Sequence, residues 1–372
     1  MLVGVPKEIK DNEYRVGVIP STVQELTLRG HAVLVETGAG AGAGLLDAAY
    51  EEAGAEIVGN ADQVFDRAEL IVKVKEPLSA ERKKLKRGQV LFTYLHLAAD
   101  RAQTEDLLAS GVTAIAYETV TNPQGFLPLL TPMSEVAGRM APQVGAYCLE
   151  KVTGGRGVLL GGVPGVPPSD VLILGSGVVG TNAALVAIGM GASVTVTGNN
   201  MDQLRHVSAQ FGTRLRTVFS ARQAVETLCR RADLIVGAVL VPGAAAPKLI
   251  SAETVKAMKP GAVIVDVSID QGGTAETSLP TTHSDPTYVV DEVVHYCVTN
   301  MPGAVARTST FALSNVTAPL VLAIADNGYA RALMDDPCLC DGLNIHDGQV
   351  TNMAVAEARE LPYVPASEAL IG

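Results

Sequence analysis

The chain has 372 residues, 48% of them hydrophobic and 18% charged, with 37 glycines and no tryptophan. That profile of aliphatic and alanine-rich cores excludes intrinsic disorder, and at roughly 150 residues per domain the length predicts two domains. Lys and Arg number 28 against 39 Asp and Glu, a formal charge of −11 whose field repels phosphate backbones and anionic lipid, so no nucleic acid and no membrane is expected as a partner. Five cysteines, Cys148, Cys229, Cys297, Cys338 and Cys340, are odd in number and show no paired spacing, which suits a reducing cytoplasm. The start, MLVGVPKEIKDNEYR, meets its first charge at Lys7 and builds no signal-peptide core.

In chain order, the runs LVGVP, HAVLVE, ELIVKVKE, QVLFTYLHLA and TAIAYETV alternate with helix-length amphipathic segments, which predicts an α/β fold with a parallel, doubly wound sheet. A Pro- and Gly-containing stretch over residues 121–132 interrupts the alternation and marks a domain boundary near residue 130. A helix is expected over 134–151, then a Gly- and Pro-dense loop, GGRGVLLGGVPGVPPSD, that opens a second domain. The longest apolar stretch, 171–192, holds five glycines and reads as strand, turn and buried helix rather than a membrane span. DLIVGAV and AVIVDVSID continue that sheet to about residue 300, and a helix over 308–327 begins the C-terminal part. The basic run ERKKLKR at 81–87 reads as a solvated helix face.

The most informative segment is VLILGSGVVGTNAALVAIGMGASVTVTGNN. It places Gly175, Gly177 and Gly180 in GxGxxG spacing between a strand and a helix, with a second strand after. Here the first glycine makes the tight turn, the second lets backbone approach a pyrophosphate, and the third lets helix pack on strand. The acid expected about 20 residues on, which would accept the adenosine ribose hydroxyls and repel a 2′-phosphate, is replaced by Gly198, followed by Asn199 and Asn200. NAD is the expected cofactor, and this gap leaves room for NADP.

Other candidates stand in the first half. Arg15 follows the first strand, and Lys73 and Lys75 alternate along another, which puts two cations on one strand face. Arg15 could hold a carboxylate bidentately and Lys75 lies at a strand's C-terminal end, where such sheets place ligands; from spacing alone both could equally be surface charges. His96 ends VLFTYLH, positioned for proton exchange or for a structural hydrogen bond. Asp270, in DVSIDQGG, is either a site residue beside glycines or a turn residue.

Together the motifs resemble the alanine dehydrogenase family along essentially the whole chain. PKEIKDNEYRVGVIP, KVKEP, LFTYLHLA, PMSEVAGRMAPQVGA, GGVPGV, VIVDVSIDQGGTAET, TTHSDPTY and HYCVTNMPGAVARTSTFALSN carry the likeness. The resemblance implies two Rossmann-like doubly wound domains separated by a cleft. Residues 1–129 with 307–372 would form the substrate domain, and 130–306 the dinucleotide-binding domain. It implies reversible oxidative deamination of L-alanine to pyruvate and ammonia with a nicotinamide cofactor, in a homo-oligomer, commonly a hexamer. Arg15 and Lys75 would bind substrate, while His96 and Asp270 would serve acid–base roles. Beside the three glycines and position 198, the cofactor would meet Ser134, Val178, Val179, Ser220, Val239, Leu240, Val267, Ser268, Ile269, Asp270, Val298, Thr299, Asn300 and Met301. Some relatives hold a divalent ion near the positions of Ala323 and Asn327, whose ligands are lost here, so no protein-bound metal is expected. The alternative is the soluble nucleotide-binding component of a proton-translocating transhydrogenase, a homologous module without need of Arg15, Lys75, His96 and Asp270.

Overall fold

The structure, a computed structural model, describes residues 1–239 and 246–371. The chain divides into two compact units, Met1–Met133 with Gly303–Gly372, and Ser134–Pro302. In the first, β-branched and leucine-rich runs form β1 (Leu2–Val5), β2 (Ala32–Glu36), β3 (Glu56–Val58), β4 (Leu70–Val72), β5 (Val90–Thr93) and β6 (Thr113–Ala116). Neighbours among these six pair in parallel, and β4, β5 and β6 are buried at every position. Continuous burial is what a parallel strand covered on both faces requires. Between strands the chain returns through helices such as Ala61–Arg67 and Arg101–Ser110, started by Asn60 and Asp100, whose side chains accept the Gln63 and Gln103 N–H groups.

The second unit holds β7 (Asp170–Leu174), β8 (Ser193–Gly198), β9 (Leu215–Phe219), β10 (Leu234–Gly237), β11 (Val263–Asp266), β12 (Thr287–Val290) and β13 (Val293–Tyr296). β14 (Leu343–His346) and β15 (Gln349–Val350) then return to the first unit and extend its sheet antiparallel beyond β6. The first sheet runs β15-β14-β6-β5-β4-β1-β2-β3 and the second β12-β13-β11-β10-β7-β8-β9. Both wind outward from one pair, β1 with β4 and β7 with β10. At such a reversal the loops beyond the strands' C-terminal ends diverge and leave a crevice.

Two expectations are corrected, and one long apolar helix is accounted for. The strand that was to present Lys73 and Lys75 together ends at Val72; Lys73 is fully buried between Glu8 and Glu81, so this cation belongs to the core. Of residues 81–87 only Glu81 and Arg82 are helical, in the turn Ser79–Arg82, and Glu81 and Leu85 are buried rather than solvated. Finally, the segment Met301–Asn327 is long and apolar enough to cross a membrane. Its helix, Ala306–Asn327, buries Ala306, Ser309, Thr310, Leu313, Thr317, Val321 and Ile324 at three- and four-residue spacing, the stripe of a helix laid on a protein core. Hydroxyls on that stripe meet the N-terminal segment, with Thr310 Oγ1 accepting the Val16 N–H and Ser314 bonded to Thr22.

Candidate active site

In the second unit the turn after β7 is shaped by what cannot fit there. Gly175 has φ +118°, and a Cβ on it would stand 2.4 Å from the Ala238 carbonyl oxygen. A Cβ on Gly180 would stand 1.9 Å from the Gly175 oxygen, whereas one on Gly177 would meet open space. Gly177 is the N-cap of the helix Val178–Gly189, so unpaired amide donors and the positive helix end face that open side. This is a cradle that fits a pyrophosphate. Val178, the first helical residue, is exposed, and Val179 is buried.

The remaining cofactor candidates fall at the same ends of the sheet. Gly198 closes β8, Ser220 follows β9, and Val239 follows β10. After β11, Val267, Ser268, Ile269 and Asp270 form a single 3₁₀ turn, while Val298, Thr299, Asn300 and Met301 follow β13. Ser134 lies in the helix Thr131–Cys148, and Leu240 is outside the described residues. Ser268 Oγ donates to the Val239 carbonyl at 2.6 Å, which ties two of these loops together. Asp266, completely buried at the end of β11, accepts the N–H groups of Ser268 and Thr274 and the Ser278 hydroxyl. It fixes the turn that carries the exposed Asp270 and the positive-φ pair Gly272 and Gly273. Sequence reading missed Asp266; an acid closing the apolar run VIVD was the available signal.

In the first unit Arg15, Lys75 and His96 occupy loops beyond β1, β4 and β5, the strands at and beside the reversal. Arg15 is buried, and one edge of its guanidinium, Nε and Nη2, is held by the two carboxylate oxygens of Glu13 at 2.7 and 2.5 Å. Burial works against the charge, but Glu13 outweighs it and raises the pKa of Arg15. The bidentate edge expected for a ligand is thus engaged by Glu13, and Nη1 lies 3.0 Å from Met133 Sδ.

Lys75 is half-buried and its backbone is clamped. Glu8 Oε1 accepts the N–H groups of Val74 and Lys75 at 2.7 and 3.2 Å, and Thr93 Oγ1 donates to the Lys75 carbonyl at 2.9 Å. Lys73 Nζ donates to the other Glu8 oxygen at 3.1 Å and to Glu81 at 2.6 Å. Burial pushes the Glu8 carboxyl up despite Lys73, while the two carboxylates overcome burial and hold Lys73 charged. Beside Lys75, Glu76 is pushed up by burial, but Lys75 and Lys10 prevail and set it below the usual carboxylate range.

His96 carries a half-exposed side chain and sits at φ +54°, a backbone region that costs a branched-free but Cβ-bearing residue of order 1 kcal/mol or more. Glu118, in the 3₁₀ turn beyond β6, holds it there. Its carboxylate accepts the N–H groups of Leu95 and His96, the latter at 2.5 Å, and lies 3.8 Å from His96 Nδ1. The Tyr94 ring stacks beside the imidazole with centroids 6.0 Å apart, and its hydroxyl donates to the Leu129 carbonyl at 2.6 Å. Burial raises the Tyr94 pKa although the Arg15 charge lowers it. Glu8, Glu13 and Glu118 were not anticipated; Glu118 alone had a visible cue, an acid directly after a buried strand.

The second unit thus carries a turn that fits a pyrophosphate, and the first an imidazole on a loop beyond the strand next to that of Lys75, the parts required by a dehydrogenase that works with a nicotinamide dinucleotide. The family model described as alanine dehydrogenase/PNT, N-terminal domain, matches residues 4–137, and the one described as alanine dehydrogenase/PNT, C-terminal domain, matches 141–353. The chain belongs to the alanine dehydrogenase/PNT family. It is 58% identical to an alanine dehydrogenase of Halomonas elongata over 372 residues, all of both chains. A solved L-alanine dehydrogenase superposes with a TM-score of 0.93 at 52% identity, over 96% of this chain and 99% of that one. A transhydrogenase from Sinorhizobium meliloti shares the fold, with a TM-score of 0.82 at 24% identity, covering 95% of this chain and 100% of the other.

Proposed function

We propose that the chain oxidatively deaminates L-alanine to pyruvate and ammonia, reversibly, with Arg15, Lys75, His96 and Asp270 as its working residues. When bound, the nicotinamide ring supplies the hydride acceptor for the alanine α-carbon. The second unit would hold the dinucleotide, its pyrophosphate at the Gly175, Gly177 and Gly180 turn and the rest against the loops beyond β8 to β13. Arg15, with its charge secured by Glu13, would attract the substrate carboxylate. Lys75 would bind the same group and stabilise the oxygen that becomes the oxo group. His96 would take protons from the substrate amine and the attacking water and return them as the carbinolamine collapses, and Asp270 would position that water.

The observation that carries this reading is His96, held at positive φ by Glu118 beside the loops of Arg15 and Lys75. Identity to alanine dehydrogenases over the full chain supports the same substrate against the transhydrogenase alternative. At the cofactor's ribose the absent strand-end acid supports use of NADP as well as NAD. A homo-oligomer, taken as a hexamer from the family likeness, is supported by the exposed Tyr147, Val152, Leu159, Val163 and Val166. The five unpaired thiols support a reducing cytoplasm.

Initial rates on a panel of small amino acids, each with NAD and NADP, test the proposal. L-Alanine is expected to give the highest kcat/KM, and His96→Ala to lower turnover by roughly 10²- to 10⁴-fold. Absence of alanine-dependent reduction, or near-normal turnover in the variant, defeats it.

A further inference from the structure

We propose that Ser176, with Gln203, sets cofactor specificity in this chain by occupying the ground from which a strand-end carboxylate would act. The proposal rests on the reading of the Gly175 turn as the dinucleotide site. Gly198, which closes β8, is buried, and a Cβ placed on it would lie 2.4 Å from Ser176 Oγ, 3.1 Å from Ser176 Cβ and 3.3 Å from Leu204 Cδ2. Ser176 is the residue between the first two glycines of the turn. It is 7% exposed, and its hydroxyl donates to Gln203 Oε1 at 3.1 Å.

Gln203 belongs to the first turn of the helix Met201–Phe211, where the N-cap Asn200 accepts the N–H groups of Asp202 and Gln203. The Ser176–Gln203 bond therefore joins the nucleotide turn to the βα connection in which other dinucleotide sites place their ribose-binding acid. A side chain at position 198 and the present Ser176 rotamer exclude one another. Rotating the hydroxyl away would break its bond to Gln203, and the Ser176 Cβ would still be in tight contact. Glycine at 198 and serine at 176 are thus one coupled feature.

The chemistry of the exchange is a change of charge. A carboxylate accepts both ribose hydroxyls and repels a 2′-phosphate. A serine hydroxyl and the amides of Gln203, Asn199 and Asn200 carry no charge, so they offer hydrogen bonds to a ribose with or without that phosphate. The ligand class is an adenosine dinucleotide tolerant of 2′-phosphorylation.

Calorimetric titration of NADH and NADPH into the wild type, Ser176→Gly, Gly198→Asp and the double variant tests this, with thermal melts to verify folding. The wild type is expected to bind the two nucleotides within about tenfold of each other. Gly198→Asp alone should weaken both, and the double variant should regain NADH affinity while binding NADPH more than about tenfold more weakly. Non-additivity in NADH affinity of about threefold or more is the signature of coupling. Additive effects, or full NADH selectivity from Gly198→Asp alone, overturn the proposal. Should Gly198→Asp fail to fold, Gly198→Ala carries the same Cβ, and weakened NADH binding relieved by Ser176→Gly is the expected outcome. A wild type that rejects NADPH defeats the dual-cofactor reading, with the coupling still scored on NADH; one that binds neither nucleotide defeats both.

Discussion

Beyond β7 the candidate nucleotide turn is made of backbone: glycines that let one carbonyl approach another, a helix end, and neutral side chains. Beyond β1, β4 and β5 the candidate substrate loops are held by side chains of opposite charge, Glu13 on Arg15, Glu8 and Glu81 on Lys73, Glu118 on the His96 backbone. The difference follows from what each must face. A pyrophosphate is bulky and fixed in charge, so amides and space suffice, whereas a small amino acid needs a few cations and a base kept in register, and buried cations persist only with partners.

Substitutions can break that comparison at its strongest point first. Glu8→Ala strips Lys73 of one buried partner and releases the Lys75 amide, and is expected to cost about 3–5 kcal/mol of stability by chemical denaturation. Equal stability of variant and wild type would mean that the triad does not hold the loop. Next, Glu118→Ala should let His96 leave positive φ and lower kcat by about 10- to 100-fold, with dinucleotide affinity unchanged by titration and Glu118→Gln intermediate. A matching loss of dinucleotide affinity would show that the candidate substrate loops and the nucleotide turn are not separately built.

The smallest effect sharpens the contrast from the neutral side. His295 is buried, with Nε2 on Thr277 Oγ1 at 2.8 Å and Nδ1 on the Val293 carbonyl at 3.0 Å, and burial lowers its pKa from 6.5. Below 6.5 the unfolded chain takes up protons that the folded chain refuses, so stability falls as pH drops through that window. His346 adds to the slope in the same direction. His295→Gln should flatten that slope, read as the difference in melting temperature between variant and wild type at pH 5 and 7.

Legibility in the sequence tracks this division. The glycine turn is local, and its spacing between strand and helix was readable in full, as were the long apolar strands. Short β3 and the hairpin of β14 and β15 were not, because EIV, LNIH and QV lack the unbroken apolar runs of β1 and β4 to β6 and are placed by pairing with their neighbours. The charge clusters were hidden for the same reason: Glu8 and Lys73 are 65 residues apart, so the lysine looked exposed until its carboxylates were in place. Positions 15, 75 and 96 were named as candidates from residue type and strand position, but the acids bonded beside them and the conformation of His96 were not legible.

One connection bears on how the polypeptide reaches this state. Thr113 on β6 is bonded to His346 on β14 across 233 residues, while the whole second unit lies between them. During synthesis the inserted unit is complete and free to collapse before the partner of β6 has left the ribosome. The first sheet must therefore wait with an open edge, and late in translation is when the nascent chain is most exposed to mispairing.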